Sequence, residues 1–388
     1  MKIGVLTYHR IVNTGAVIQA YAVTKIMQDI FPSAEIEIID LFPLTMFYKE
    51  HRKRVSLRQL KMNKDFIEKQ EACVDFISSS MRLSSKRAFF NNGKKAAKWI
   101  DTLGYDLVVV GSDTVWELRK PGYAPRGVNP YVLPYNGGYL KASISASMDP
   151  IGDTDNDQEV EFKQRMKWIE KFDYLSVRDN ATLDFVNQYK SQDLNFNLLP
   201  DPTLINGLDG FSDKSALDKI PERILKSKLG GVSMSENYAP KAYKFLKSMG
   251  YKTIDVGGRN KKLVDYATPA DFSVQQAYAV HSCLDILITD RFHASIFTIL
   301  QCEAPVFFYE DPEKWKYKNS KGRDLFKLLG VEFMVFRDIS LAADNKWVGE
   351  KMHAWQKSLP AIEKNLKTIK HEGFSDIRNG LLEITKHV

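Results

Sequence analysis

Short apolar runs alternating with helix-length amphipathic stretches constrain this chain more than any other feature. Residues 2–7, 107–110, 230–234, 286–288 and 304–309 are mostly apolar and, like the mixed run 251–256, too short for helices. The run Leu107-Val108-Val109-Val110 has no polar alternation, so that strand is buried on both faces. Helical patterns fill 16–30, 162–170, 239–249, 273–281 and 321–329. From Met352 onward a further helical region carries one apolar stripe, Trp355, Leu359, Ile362, Leu366 and Ile369. The opening strand, helix and strand (2–7, 16–30, 35–40) form a β-α-β unit, which implies a parallel pair and a right-handed crossover.

The fold class is therefore α/β. The pattern pauses at the proline-bracketed Leu198-Leu199-Pro200-Asp201-Pro202-Thr203 and then restarts. The expected organisation is an N-terminal α/β domain over 1–203, interrupted near 41–100 by a basic helical insertion. A second α/β domain covers 204–388, with C-terminal helices packing back on the body. In the insertion, the run from Lys49 to Arg54 with Arg58, Lys61, Lys64 and Lys69 reads first as a solvated helix face. A lid or a membrane-facing surface is the sharper alternative.

Open parallel sheets bind ligands past the carboxyl ends of their strands, where helix N-termini present free N–H groups. Four stretches fall there. Strand 286–288 leads into Thr289 and Asp290, either of which can cap the next helix, and then into Arg291 and His293. Those two suit an anion and a proton transfer, or equally a surface cation and a core histidine. After strand 107–110, Ser112 and Asp113 either cap the turn or touch a substrate, and Trp116 is core or a stacking platform for a sugar. The loop from Tyr8 to Gly15 ends at a helix start and is a ligand-loop candidate, with Gly15 allowing close backbone approach. Arg178 stands where the strand from Tyr174 turns into another helix. Residues 123–139, rich in Pro, Gly, Tyr and Asn, are expected to face substrate.

Composition narrows the partners. Neither G-x-G-x-x-G nor G-x-x-x-x-G-K-[ST] occurs. The net charge of +7 suits an anionic small molecule or an acidic membrane surface, and no nucleic-acid-binding signature accompanies it. Cys73, Cys283 and Cys302 lack metal-ligand spacing and are expected as reduced thiols, the last two in the core. No cluster suggests a metal. The N-terminus reads as a strand opening, with neither signal peptide nor membrane span, so a cytoplasmic location is expected, at most peripheral at the inner face of the cell membrane.

Several blocks, in order, resemble the polysaccharide pyruvyl transferase family. They are the opening from Lys2 to His9 with Asn13 to Ala22, then Val110-Gly111-Ser112-Asp113-Thr114-Val115-Trp116 against G-S-D-x-V-W. Ser176-Val177-Arg178-Asp179, Asp201-Pro202-Thr203 and Thr289-Asp290-Arg291-Phe292-His293-Ala294 follow. Thr114 stands where Gln is common and Ala294 where Gly is common. The resemblance spans roughly residues 1 to 340. It implies a GT-B-like architecture of two Rossmann-like domains facing across a cleft. It also implies transfer of a pyruvyl group from phosphoenolpyruvate, as co-substrate without a cofactor, to a sugar of a polysaccharide or its lipid-linked precursor as a cyclic ketal. In that chemistry His293 and Asp113 would be catalytic. Arg291, Arg178 and Ser112 would bind the donor, with Arg323 and Arg10 as weaker candidates. Asn13, Gly15 and Trp116 would bind the acceptor. The rival readings are a GT-B glycosyltransferase using a nucleotide sugar and a non-catalytic binding protein of a polysaccharide locus.

Overall fold

The computed structural model describes residues 1–56, 61–117, 129–148, 156–191, 193–258, 262–315 and 320–387. The chain divides into two compact units, Met1–Asn206 with Lys370–Val388, and Gly207–Ile369. The turning point thus falls a few residues beyond the expected 203, and 370–388 join the first unit.

In the first unit, strand β1 (Lys2–Leu6) is followed by helix α1 (Thr14–Ile30) and strand β2 (Glu35–Ile38). Asn13 caps α1 by accepting from the Gly15 N–H, and the helix buries a broad face that includes Ile18, Ala22, Val23 and Ile26. Residues 41–101 hold more than helices: β3 (Leu41–Pro43), α2 (Leu44–Lys53), β4 (Val55–Ser56), β5 (Lys61–Met62), α3 (Lys64–Ser80), β6 (Ala88–Phe90) and α4 (Gly93–Asp101). β3 pairs β6 in parallel and β4 pairs β5 antiparallel. Strands this short carry too few residues to show a period, which is why the sequence reads only as helical there. β7 (Leu107–Gly111), β8 (Leu140–Ile144), α5 (Asn156–Ile169), β9 (Ser176–Val177), α6 (Asn180–Asn187), β10 (Asn197–Leu198) and α7 (Pro202–Asn206) complete the unit.

Its main sheet is all parallel in the order β2-β1-β7-β8, with Val5 opposite both Ile38 and Val109. Parallel bridges from Ala142 to Tyr174 and from Ala146 to Val177 join β8 to the β9-β10 pair. Strand order reverses between β1 and β7, the position where open α/β sheets hold ligands.

The second unit contains α8 (Glu222–Leu225), β11 (Leu229–Ser233), α9 (Ala239–Ser248), β12 (Lys252–Asp255), β13 (Tyr266–Ala267) and α10 (Val274–Ala279). β14 (Ile286–Thr289), α11 (Phe292–Gln301), β15 (Val306–Tyr309), α12 (Lys321–Leu328) and β16 (Val335–Phe336) follow. The sheet is parallel, ordered β13-β12-β11-β14-β15-β16, which is the 3-2-1-4-5-6 order of doubly wound dinucleotide-binding sheets. Its reversal lies between β11 and β14. A single helix, α13 (Asn345–Ile384), runs from the second unit into the first. Trp355, Ile362 and Ile369 of the expected stripe are buried, and the Trp355 indole N–H donates to the Glu303 carbonyl.

Candidate functional site

In the first unit the turn after β7 begins with a cis Gly111–Ser112 peptide, followed by Asp113 at φ +71°. Asp113 Oδ1 accepts from the Thr114 N–H at 2.8 Å, and the Asp113 carbonyl accepts from Ser147 N–H. These bonds give Asp113 the turn-capping part. The Tyr8 hydroxyl donates to the Thr114 carbonyl at 3.2 Å, tying the loop after β1 to this turn. The Ser112 hydroxyl is fully buried and has no hydrogen-bond partner among the described residues.

Arg178, expected as an anchor for an anionic donor, is instead packed among carboxylates. Its side chain is 1% exposed, with Nη1 3.2 Å from Asp201, Nη2 3.9 Å from Asp113 and Nε 3.9 Å from Asp179. Burial disfavours its charge, yet Asp201, Asp113 and Asp179 outweigh that and hold it cationic above its ordinary range. The carboxylates are themselves satisfied. Asp201 accepts from Gln19 Nε2 and from the Thr203 N–H and hydroxyl. Asp179 accepts from Ser147 Oγ and from the Thr182 N–H and hydroxyl. Gln19, Asp179, Asp201 and Ser147 were not singled out as site residues. The signal was present, since Gln19, Asp179 and Asp201 each lie inside a quoted block.

Other expectations for this unit change. Trp116 is 0% exposed, donates from Nε1 to the Tyr131 carbonyl and packs edge-on against Phe172, so it is core and presents no face to a sugar. In the loop at 123–139, residues 123–128 lie outside the described residues. Beyond them Tyr131, Val132 and Leu133 are buried, because a short 3₁₀ turn folds them into the core. Arg10 forks onto Asp40 through Nε at 2.5 Å and Nη2 at 2.6 Å. Asp40 also meets His9 and Arg87. Burial alone would raise the Asp40 pKa, but bonds from these three partners push it far below the usual range. Asn13 is exposed and Gly15 buried at the start of α1.

In the second unit the loops after β11 and β14 are stitched together at the reversal point. Thr289 Oγ1 donates to the Ser233 carbonyl at 2.6 Å and accepts from the Arg291 N–H at 2.9 Å. Asp290 Oδ2 accepts from the Ser235 N–H at 3.0 Å. Neither Thr289 nor Asp290 caps α11. The N-cap residue is Arg291, and no side chain caps the helix. The Arg291 guanidinium lies 2.9 Å from Asp290 Oδ1 and its side chain stays 44% exposed. His293, half-buried in the first turn, lies against the Phe297 ring one turn on, with Phe292 edge-on.

Arg323 is committed elsewhere. Its guanidinium donates to Glu310 at 2.8 Å and to Glu332 at 3.0 Å. Besides Arg291 itself, Lys321 comes near the start of α11, with its Nζ 5.7 Å from the centre of the Phe292 ring. Cys283 and Cys302 are half-buried, not core, and with Cys73 form no disulfide. Among the described residues no group of three or more His, Cys, Asp or Glu is placed to hold a metal, and no helix is long and apolar enough to cross a membrane.

The sequence profile of the family described as polysaccharide pyruvyl transferase matches residues 13–311. The chain belongs to this family. The match starts after β1 and ends after β15, so it is shorter at both ends than the resemblance suggested. It includes Asp113, Arg178, Arg291 and His293, and leaves out Arg323. Membership in the polysaccharide pyruvyl transferase family makes the protein a transferase of polysaccharide biosynthesis. No curated protein matches the chain in sequence. Solved structures supply the fold. One is the UDP-GlcNAc 2-epimerase from Neisseria meningitidis bound to UDP-GlcNAc, at 11% identity and TM-score 0.52, covering 99% of this chain and 100% of that one. Another is MnaA of S. aureus with UDP, at 8% identity and TM-score 0.59, covering 100% and 97%. The polysaccharide pyruvyl transferase fold here is therefore α/β with parallel sheets, and its neighbours are GT-B enzymes.

Proposed function

We propose that the protein moves a pyruvyl group from phosphoenolpyruvate to two hydroxyls of a sugar, forming a cyclic ketal. The observation that carries this reading is the start of α11 in a chain of this family. There a part-exposed guanidinium, Arg291, sits at a helix N-terminus that no side chain caps, two residues before His293. Helix N-termini and a planar fork of donors both favour a phosphate or carboxylate, and phosphoenolpyruvate carries one of each.

The atoms balance as follows. A proton adds to the methylene carbon, leaving an oxocarbenium-like C2. One sugar oxygen attacks C2, the C2–O bond to phosphate breaks, and the second sugar oxygen closes the ring. Of the two hydroxyl protons lost, one balances the proton now in the methyl group and the other leaves with phosphate. We assign the proton transfer to His293 and the anionic end of the donor to Arg291. Asp113 is the carboxylate we assign to an acceptor hydroxyl. Because it also neighbours the buried Arg178, Asp113→Asn tests the assignment by the turnover of the fraction that remains folded.

Incubation with phosphoenolpyruvate and a panel of sugar intermediates, including lipid-linked ones, should yield a pyruvyl adduct by mass spectrometry. His293→Ala should lower turnover about 10²–10⁴-fold in a folded protein. Turnover within about tenfold of wild type, only about 1.4 kcal/mol of barrier, would remove the histidine from the chemistry. Arg291→Lys should weaken donor affinity, because lysine cannot make the two-pronged contact. Calorimetry showing tight UDP-sugar binding and none of phosphoenolpyruvate would favour the glycosyltransferase reading instead.

A further inference from the structure

The insertion in the first unit presents a surface that the proposed chemistry does not use. On α2, Tyr48, Lys49 and Arg52 are all exposed, and Tyr48 lies one turn before Arg52 on the same stripe. Tyr48 is 57% exposed and Phe89 of β6 is 42% exposed. The two belong to one surface, because the Phe47 ring touches both, with centroids 5.7 Å from Tyr48 and 5.1 Å from Phe89. Arg87 lies two residues before Phe89, just ahead of β6; its side chain is half exposed and ion-paired with Asp40. Glu50, the one acidic residue of α2, is buried and ion-paired with Lys53. From residue 82 to 100 the chain has no Asp or Glu at all.

We propose that this aromatic and cationic face is a docking surface for an anionic phospholipid bilayer. Charge complementarity selects the occupant class: cations near an anionic bilayer are each attracted to it, while no exposed acid on α2 opposes them. The aromatic pair then selects a bilayer among anionic partners. Tyrosine and phenylalanine beside a basic helix face suit the headgroup boundary, where an apolar ring is covered and a polar rim stays wet. Protein interfaces are depleted in lysine, which speaks against an acidic protein. The Phe47 ring packs edge to face against both Tyr48 and Phe89, which suits insertion as a cluster better than stacking of nucleic-acid bases. Contact of this kind is peripheral. It does not depend on the proposed reaction, and it is measured without any substrate.

The test is sedimentation of the full chain with vesicles of phosphatidylcholine alone or with phosphatidylglycerol added. Wild type should bind the anionic vesicles at low salt and bind neutral ones at least tenfold more weakly. Lys49→Glu/Arg52→Glu should lose binding at least tenfold and lose most of its salt dependence. Tyr48→Ser/Phe89→Ser should keep the salt dependence but bind several-fold more weakly, with circular dichroism unchanged. Failure of wild type to bind anionic vesicles overturns the proposal, as does equal binding by both folded variants. Equal affinity of wild type for single-stranded nucleic acid or polyglutamate, unaffected by the aromatic variant, would assign the face to a generic polyanion and overturn it too. Ketal formation on a soluble acceptor should be the same in these variants and wild type, so the outcome stands apart from the reaction assignment.

Discussion

Arg178 shows how residue type alone misdirects a reading. An arginine at a strand end is a fair donor anchor, but this one is enclosed by Asp113, Asp179 and Asp201. Removing one member of such a buried group leaves uncompensated charge, at a cost of roughly 3–5 kcal/mol. Arg178→Met should therefore lower unfolding free energy by about that much in urea titrations. A change under about 1 kcal/mol, the range of exposed pairs, would mean the cluster is not structural. His293 and Arg291 differ from Arg178 in exposure, which is why the chemistry is assigned to them. Nothing in the local sequence separates the two arginines, since each follows a short strand and precedes a helix.

Among elements, the strand ends of the second unit carry a comparable ion network. Glu310, just after β15, accepts from Arg323, Arg337 and the Ser320 N–H. Burial would raise its pKa, but bonds from Arg323, Ser320 and Arg337 bring it down to about 2. Because the folded value lies below the ordinary 4.5, the stabilisation is fully present above about pH 4.5 and is lost as pH falls toward 2. At about 1.36 kcal/mol per unit this amounts to at most about 3.4 kcal/mol. The stability gap between wild type and Glu310→Gln should be largest near neutral pH and shrink on acidification. A gap that stays constant between pH 7 and pH 2.5 would show that ionisation is not its source. Legibility also differs by element. The central strands β1, β7, β11 and β14 were readable because strands covered on both faces are continuous apolar runs. The short strands β3 to β6 were not, because their pairing partners, not their own sequence, make them strands.

At the scale of the whole molecule, the last stretch of α13 completes the first unit. Ile377 and Leu381 are fully buried there, and Gly373 and Gly380 stand where side chains of that unit approach. In a solvent-facing helix Gly→Ala stabilises by roughly 0.5–1 kcal/mol. At Gly380 the new Cβ would meet the buried Tyr174 ring at 2.1 Å, so overpacking of about 1–3 kcal/mol should win and Gly380→Ala should lower Tm. A raised Tm would show that this segment does not pack as described. The apolar stripe from Trp355 announced a docking helix, but which unit receives 370–388 depends on contacts with Tyr174 and Ile205, far away in sequence. The sequence by itself determined the α/β alternation and brought the candidate residues to strand carboxyl ends, because periodicity and capping chemistry are local. Only the tertiary structure decided which arginines are buried among carboxylates and which stay part-exposed, because burial depends on groups that are distant along the chain and adjacent only after folding.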